Sequence, residues 1–152
     1  MRSRTIFTKY FPLNVVVFLI LSSFGTFVAM ATEPQIAIKK YDPVAYFTEN
    51  KAVHGSDEYT FSYHDMTWYF SSQKNRDLFV ADPLAYIPQY DGYCAWAMTE
   101  SRLAQTDPEV WKIVDGKLYL NCSKAAYEKW AKDIPAHIKM ADLIWAEKFL
   151  GK

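Results

Sequence analysis

The chain has 152 residues with 17 Lys+Arg against 17 Asp+Glu, but the first 31 residues hold three of the bases (Arg2, Arg4, Lys9) and no acid. The other 121 therefore carry 14 basic and 17 acidic side chains, net about −3 with His neutral, and a mildly acidic chain without a basic block argues against a nucleic-acid partner. Those 121 residues also hold 20 of the 26 aromatics, too much apolar surface for a disordered chain and enough for one compact domain rather than two.

Residues 1–31 read as an export signal. Arg2, Arg4 and Lys9 form a positive start, Val15-Val-Val-Phe-Leu-Ile-Leu21 centres an apolar run, and Ala29-Met30-Ala31 offers small residues where a signal peptidase cuts. Cleavage after Ala31 is the expectation, leaving residues 32–152 exported to a periplasm or extracellular space, with no membrane contact thereafter. The minority reading is a retained anchor, because Val15 to Ala31 stands at the lower edge of a bilayer span. Outside the cytosol the two cysteines, Cys94 and Cys122, are free to pair.

Three Asp-Pro steps punctuate the rest: Asp42-Pro43, Asp82-Pro83 and Asp107-Pro108. Asp caps helix starts and Pro is tolerated in the first turn, so each is expected to open a short helix or turn. Tyr59-Thr-Phe-Ser-Tyr63 and Thr67-Trp-Tyr-Phe-Ser71 flank the polar His64-Asp65-Met66 and predict a β-hairpin. Ser72 then caps a helix to about Ala81. Trp111-Lys-Ile-Val114 and Lys117-Leu-Tyr-Leu120 enclose Asp115-Gly116, the tight-turn dipeptide, and predict a second hairpin. Ser123 caps a helix to about Lys132. The last helix begins near Ile134-Pro135, with Ile134, Ile138, Ala141, Trp145 and Phe149 on one face. The expected fold is a small α+β domain: two hairpins packed by short helices and a C-terminal helix.

Tyr41-Asp-Pro-Val-Ala-Tyr-Phe47, Thr67-Trp-Tyr-Phe-Ser71, Phe79-Val-Ala-Asp-Pro83 with Tyr86, Gly92-Tyr-Cys-Ala95 and Asp115-Gly-Lys-Leu-Tyr-Leu-Asn121 resemble the exported YHS-domain proteins. The resemblance covers about residues 40–145. It implies a YHS-type domain, for whose shorter, metal-associated module copper binding has been proposed. That module has Cys after Asp-Pro-Val and after the Tyr-Phe of the second strand; here Ala45 and Ser71 stand there, with Asn75 close behind. The resemblance also implies that Cys94 stands where some relatives carry selenocysteine, which would favour redox or soft-metal chemistry. Cys122 belongs to none of the motifs that carry the resemblance.

Three readings stay open. In the first, an exported binding domain handles a soft metal such as Cu(I) through Cys94, with Met98 and His64 as co-ligands. Met98 lies four residues on, so in a helix thiolate and thioether would share a face. The second is thiol redox protection or sensing centred on Cys94, with Cys122 as partner; no Cys-x-x-Cys is present, so the thioredoxin type is excluded. In the third, both cysteines are inert in a structural or interaction domain. Tyr86, Tyr90, Tyr93 and Trp96 crowd the approach to Cys94 in sequence and could line a pocket for a small molecule. The chain has no Gly-x-Ser-x-Gly and no His-Glu-x-x-His, and it does not read as an enzyme in the usual sense. Asn121-Cys122-Ser123 formally matches an N-glycosylation acceptor.

Overall fold

A computed structural model describes residues 35–150; the export signal read over residues 1–31 lies outside them. The described residues form an α+β domain and contain five α-helices and two small sheets. The first sheet has strand order β1-β3-β2, from β1 (Gln35–Ile36), β2 (Ser56–Tyr63) and β3 (Met66–Phe70). β2 and β3 are the expected hairpin, longer at its start than the aromatic run alone predicts. Its turn passes through His64 and Asp65, both at positive φ (50° and 58°), the pairing a two-residue hairpin turn demands. β1 runs parallel to β3, pairing Gln35 with Met66.

The second sheet is the hairpin of β4 (Asp107–Val114) and β5 (Lys117–Asn121), turned by Asp115 and Gly116 at φ 50° and 75°. Here one expectation is corrected. Asp107-Pro108 opens a strand, not a helix, because Asp107 pairs with Asn121 across the hairpin. Pro108 is tolerated because the ladder is irregular between Asp107 and Trp111, so its missing N–H interrupts no regular bond.

The other Asp-Pro steps behave as expected. Asp42 accepts from the Val44 and Ala45 N–H groups ahead of α1 (Ala45–Thr48), and Asp82 precedes a 3₁₀ turn over Pro83–Ala85. Ser72 caps α2 (Gln73–Ala81) by accepting from Asn75 N–H, and Ser123 caps α4 (Lys124–Trp130) by accepting from Ala126 N–H. α3 spans Ala95–Thr99 and α5 spans Ile134–Trp145, which continues as a π-helical turn from Ala146. Among the described residues no helix is long and apolar enough to cross a membrane.

The core divides by element. Phe79 of α2 packs on Trp68 and Phe70 of β3, with Phe61 and Tyr63 of β2 beside it. β5 is covered on both sides, and its alternation sorts its residues. Leu118 and Leu120 join Tyr46 of α1, whereas Tyr119 joins Met98, Trp130 and Ala141 among the helices. The stripe predicted for α5 packs there too: Ile134, Ile138, Trp145 and Phe149 lie against that cluster.

Two measurements test this packing. A Cβ on Gly55 would stand 2.5 Å from the Tyr69 carbonyl carbon, so Gly55→Ala must displace backbone of β3. We expect a loss of about 2 kcal/mol in urea unfolding, typical of overpacking. Burial pushes the phenols of Tyr46 and Tyr90 upward, and that of Tyr119 up to about 12. Each is raised above its unfolded value of 10.0, so the stabilisation is complete below pH 10 and is lost as pH climbs from there towards 12 and beyond. Tyrosinate absorbance and loss of circular dichroism should rise together in that window; free titration of all three phenols near pH 10 in the folded protein would contradict the packing.

Candidate functional site: a buried thiol against its neighbour

Cys94 is fully buried and forms the N-cap of α3. Its own N–H donates to the Ala104 carbonyl at 3.0 Å, tying the helix start to the loop that follows the helix. Its Sγ accepts from Ala97 N–H at 3.5 Å, where a cap oxygen would ordinarily act. The sulfur accepts a second N–H, that of Cys122, at 3.2 Å.

The approach of Cys122 follows from β5. Strand alternation puts Tyr119 and Asn121 on the side of the helices, and β5 ends beside the start of α3. Asn121 Oδ1 there accepts from Trp96 N–H at 3.1 Å and from the Cys94 thiol at 3.8 Å. Cys122 follows at once, half-buried and packed against the cluster that holds Cys94. Both cysteines are free, and both pack with Ala97, Ala126, Trp96 and Ala104.

Burial pushes the Cys94 thiol up from its ordinary value. The Ala97 N–H opposes this, the Cys122 thiol adds to it, and the Cys122 N–H opposes it again. Cys94 is therefore a protonated, shielded sulfur at neutral pH, and Cys122 is the member of the pair that solvent reaches. Two neighbouring cysteines, one sheltered and one partly exposed, can form a bond to each other or share a soft ion.

The other candidate residues lie elsewhere. Met98 is fully buried among Tyr119, Trp130 and Ala141, in a cluster other than that of Cys94. The spacing of four fails because Cys94 is a cap with extended backbone (φ −60°, ψ 117°), not a residue inside the helix. His64 sits in the β2–β3 turn, stacked on Tyr63 at 4.2 Å, beside a cleft of about 360 Å³ shared with Asp65 and Asp91. Among the described residues no group of three or more His, Cys, Asp or Glu could hold a metal ion. The four aromatics do not converge on Cys94: Tyr90, Tyr93 and Trp96 all pack in the helical cluster, and Tyr86 lies in another. Tyr86 meets Phe47 edge-on at 5.5 Å, Tyr90 hydrogen-bonds Asp142 at 2.9 Å, and Tyr93 packs with the helical cluster. Trp96 alone of the four joins the Cys94 cluster.

Ala45, Ser71 and Asn75 do come together, around Asp42. That buried carboxyl accepts from Ala45 N–H (3.3 Å), from Ser71 N–H (2.8 Å) and hydroxyl (2.7 Å), and from Asn75 Nδ2 (2.7 Å). These positions form a hydrogen-bonded knot joining α1, β3 and α2, with no sulfur in it.

Sequence reasoning missed Asn121 as a site residue. Its signal was its place one residue before Cys122, on the inward-facing side of a strand. Full burial also removes the glycosylation reading, since a glycan on Nδ2 is incompatible with this fold. That Nδ2 has no hydrogen-bond partner among the described residues, an unmet donor on the amide whose oxygen faces the Cys94 thiol.

Comparison with known proteins identifies no relative: no family model, no curated protein and no solved structure matches this chain.

Proposed function

We propose that this domain is a thiol redox module that works by reversible pairing of Cys94 with Cys122, in an exported domain of the YHS type. The observation that carries the reading is the 3.2 Å contact from Cys122 N–H to Cys94 Sγ, with both cysteines free and packed in one cluster. In thiol–disulfide exchange the accessible Cys122, as thiolate, attacks a disulfide RS–SR′. A Cys122–SR mixed disulfide forms and R′S⁻ leaves, taking a proton from solvent. Cys94 then gives up its proton and attacks Cys122 Sγ, closing the internal disulfide and releasing RSH. Two protein thiols are oxidised and one external disulfide is reduced to two thiols. The Ala97 and Cys122 N–H groups aim at Cys94 Sγ, where negative charge appears when it resolves. This fits protection or sensing in an oxidising compartment, where export of the domain would place it.

Peptide mapping tests the reading. The reduced protein, treated with a neutral disulfide and blocked with an alkylating agent, should yield one cross-linked peptide pair joining Cys94 to Cys122. Mixed disulfides on Cys122 that never resolve would exclude it.

The same contact supports a second reading. The soft partner brought to Cys94 is Cys122, not Met98 or His64, and two adjacent thiolates suit Cu(I). One Cu(I) per chain should then shield both thiols from alkylation, and loss of either sulfur should abolish that shielding.

A further inference from the structure

Asn121 is fully buried, with one side of its amide satisfied and the other not. Its Oδ1 accepts from the backbone N–H of Trp96, the second residue of α3, at 3.1 Å. That fixed donor sets which way the amide faces, because turning Nδ2 there would oppose two donors. The same oxygen accepts from the Cys94 thiol at 3.8 Å. The first turn of α3 is thus shared between the two side chains: Asn121 Oδ1 takes Trp96 N–H and Cys94 Sγ takes Ala97 N–H. Of these three contacts, only the one from the thiol needs the sulfur's proton. A disulfide at Cys94 has no S–H to donate, and Oδ1 would then face the lone pairs of a bare sulfur.

We infer that Asn121 is a positioning residue that biases the Cys94–Cys122 pair towards the dithiol: its amide oxygen, pinned by Trp96 N–H, accepts from the Cys94 thiol in the reduced state and loses that bond when the pair is oxidised. The inference rests on the redox reading above and names the residue that sets the poise of the pair. A contact made in one state of an equilibrium and lost in the other favours the first by its own strength. Here it makes the disulfide easier to reduce, as a reversible pair requires and a structural disulfide does not. When a thiol such as glutathione reduces the pair, two RSH become RSSR and the internal disulfide takes up two electrons and two protons. One of those protons returns to Cys94 and restores its bond to Oδ1.

The test equilibrates the parent chain, Asn121→Leu and Asn121→Asp at neutral pH in graded mixtures of reduced and oxidised glutathione, and reads the fraction cross-linked. Leucine keeps the volume and removes the oxygen, so the oxidation constant should rise about fivefold, a fall of about 20 mV in potential. Aspartate keeps an acceptor oxygen, so its potential should stay at or above that of the parent. Loss of the acceptor for Trp96 N–H weakens α3 in both redox forms alike and leaves their ratio unchanged, which separates this role from packing. A second readout needs no change at Asn121. In reduced Cys122→Ala, where Cys94 is the one remaining thiol, the Raman S–H stretch should lie below that of a free thiol in an apolar solvent. If a variant at Asn121 fails to fold, that band decides. Equal potentials in the three chains, an equal fall in both variants, or a Cys94 band at the free-thiol frequency overturns the inference while the redox reading stands, provided the Cys94–Cys122 link forms. Absence of that link in every buffer overturns both.

Discussion

Cys122→Ser should abolish capture of disulfides by the folded protein, whereas Cys94→Ser should still capture them but stall as a mixed disulfide on Cys122. The asymmetry follows from exposure: Cys94 is 0 % exposed, so a bulky disulfide reaches Cys122 first. The serine variants are chosen to keep the fold. Serine is itself a preferred N-cap, so Cys94→Ser retains an acceptor for Ala97 N–H, whereas Cys94→Ala should also lose about 1 kcal/mol of cap stability. Intact mass after exposure to a small disulfide separates the cases: an adduct on Cys94→Ser, none on Cys122→Ser, and in the parent chain an internal bond without adduct. Adducts on Cys94 in the Cys122→Ser variant would reverse the assigned roles. pH adds a second readout. Because burial raises the Cys94 thiol and its folded value lies above the unfolded 9.0, direct alkylation of Cys94 should need alkali or opening of the fold. By the same sign, the stability held by the neutral thiol is complete below pH 9.0 and declines as pH rises through the folded value.

The largest structural effect is expected at Asp42. Its two carboxyl oxygens take five hydrogen bonds, from Val44, Ala45 and Ser71 N–H, the Ser71 hydroxyl and Asn75 Nδ2, and the side chain is fully buried. Asp42→Ala leaves those donors without acceptors where water cannot replace it. Each buried orphan costs about 1–3 kcal/mol, so the variant should lose at least about 3 kcal/mol, enough to unfold much of a domain of ordinary stability. Asn75→Ala removes one donor and leaves the carboxyl its other partners, so a loss of about 1 kcal/mol is expected. Urea unfolding of the three chains checks the ranking; equal midpoints would mean that the knot does not join α1, β3 and α2.

Much of this architecture was legible because its signals are local. Asp115-Gly116 and the Thr- and aromatic-rich runs specify hairpins within a few residues, Ser72 and Ser123 cap the helices they precede, and the α5 stripe is a periodicity. Asp107-Pro108 misled for the complementary reason. It carries a local helix-start signal, but pairing of Asp107 with Asn121 across the hairpin overrides it. The site was legible only in part. Cys94 and Cys122 could be singled out, but their contact depends on β5 ending beside the start of α3, a tertiary fact with no local signature. The Cys94–Met98 spacing pointed to a shared face only on the assumption that Cys94 lies inside the helix. As the cap, it sends its sulfur to Asn121 and Cys122 instead. Asn121 stayed hidden because a polar residue in a strand is usually read as facing water, whereas β5 is covered on both sides.

The most direct measurement is the midpoint potential of the Cys94–Cys122 couple, from the fraction cross-linked after equilibration in graded thiol–disulfide buffers. A working redox pair requires both thiols to titrate together in one two-electron transition, above about −300 mV, the range of labile rather than structural disulfides. A bond that never forms, or one that resists reduction below that potential, would contradict the account and leave the cysteines as packing or as a structural staple.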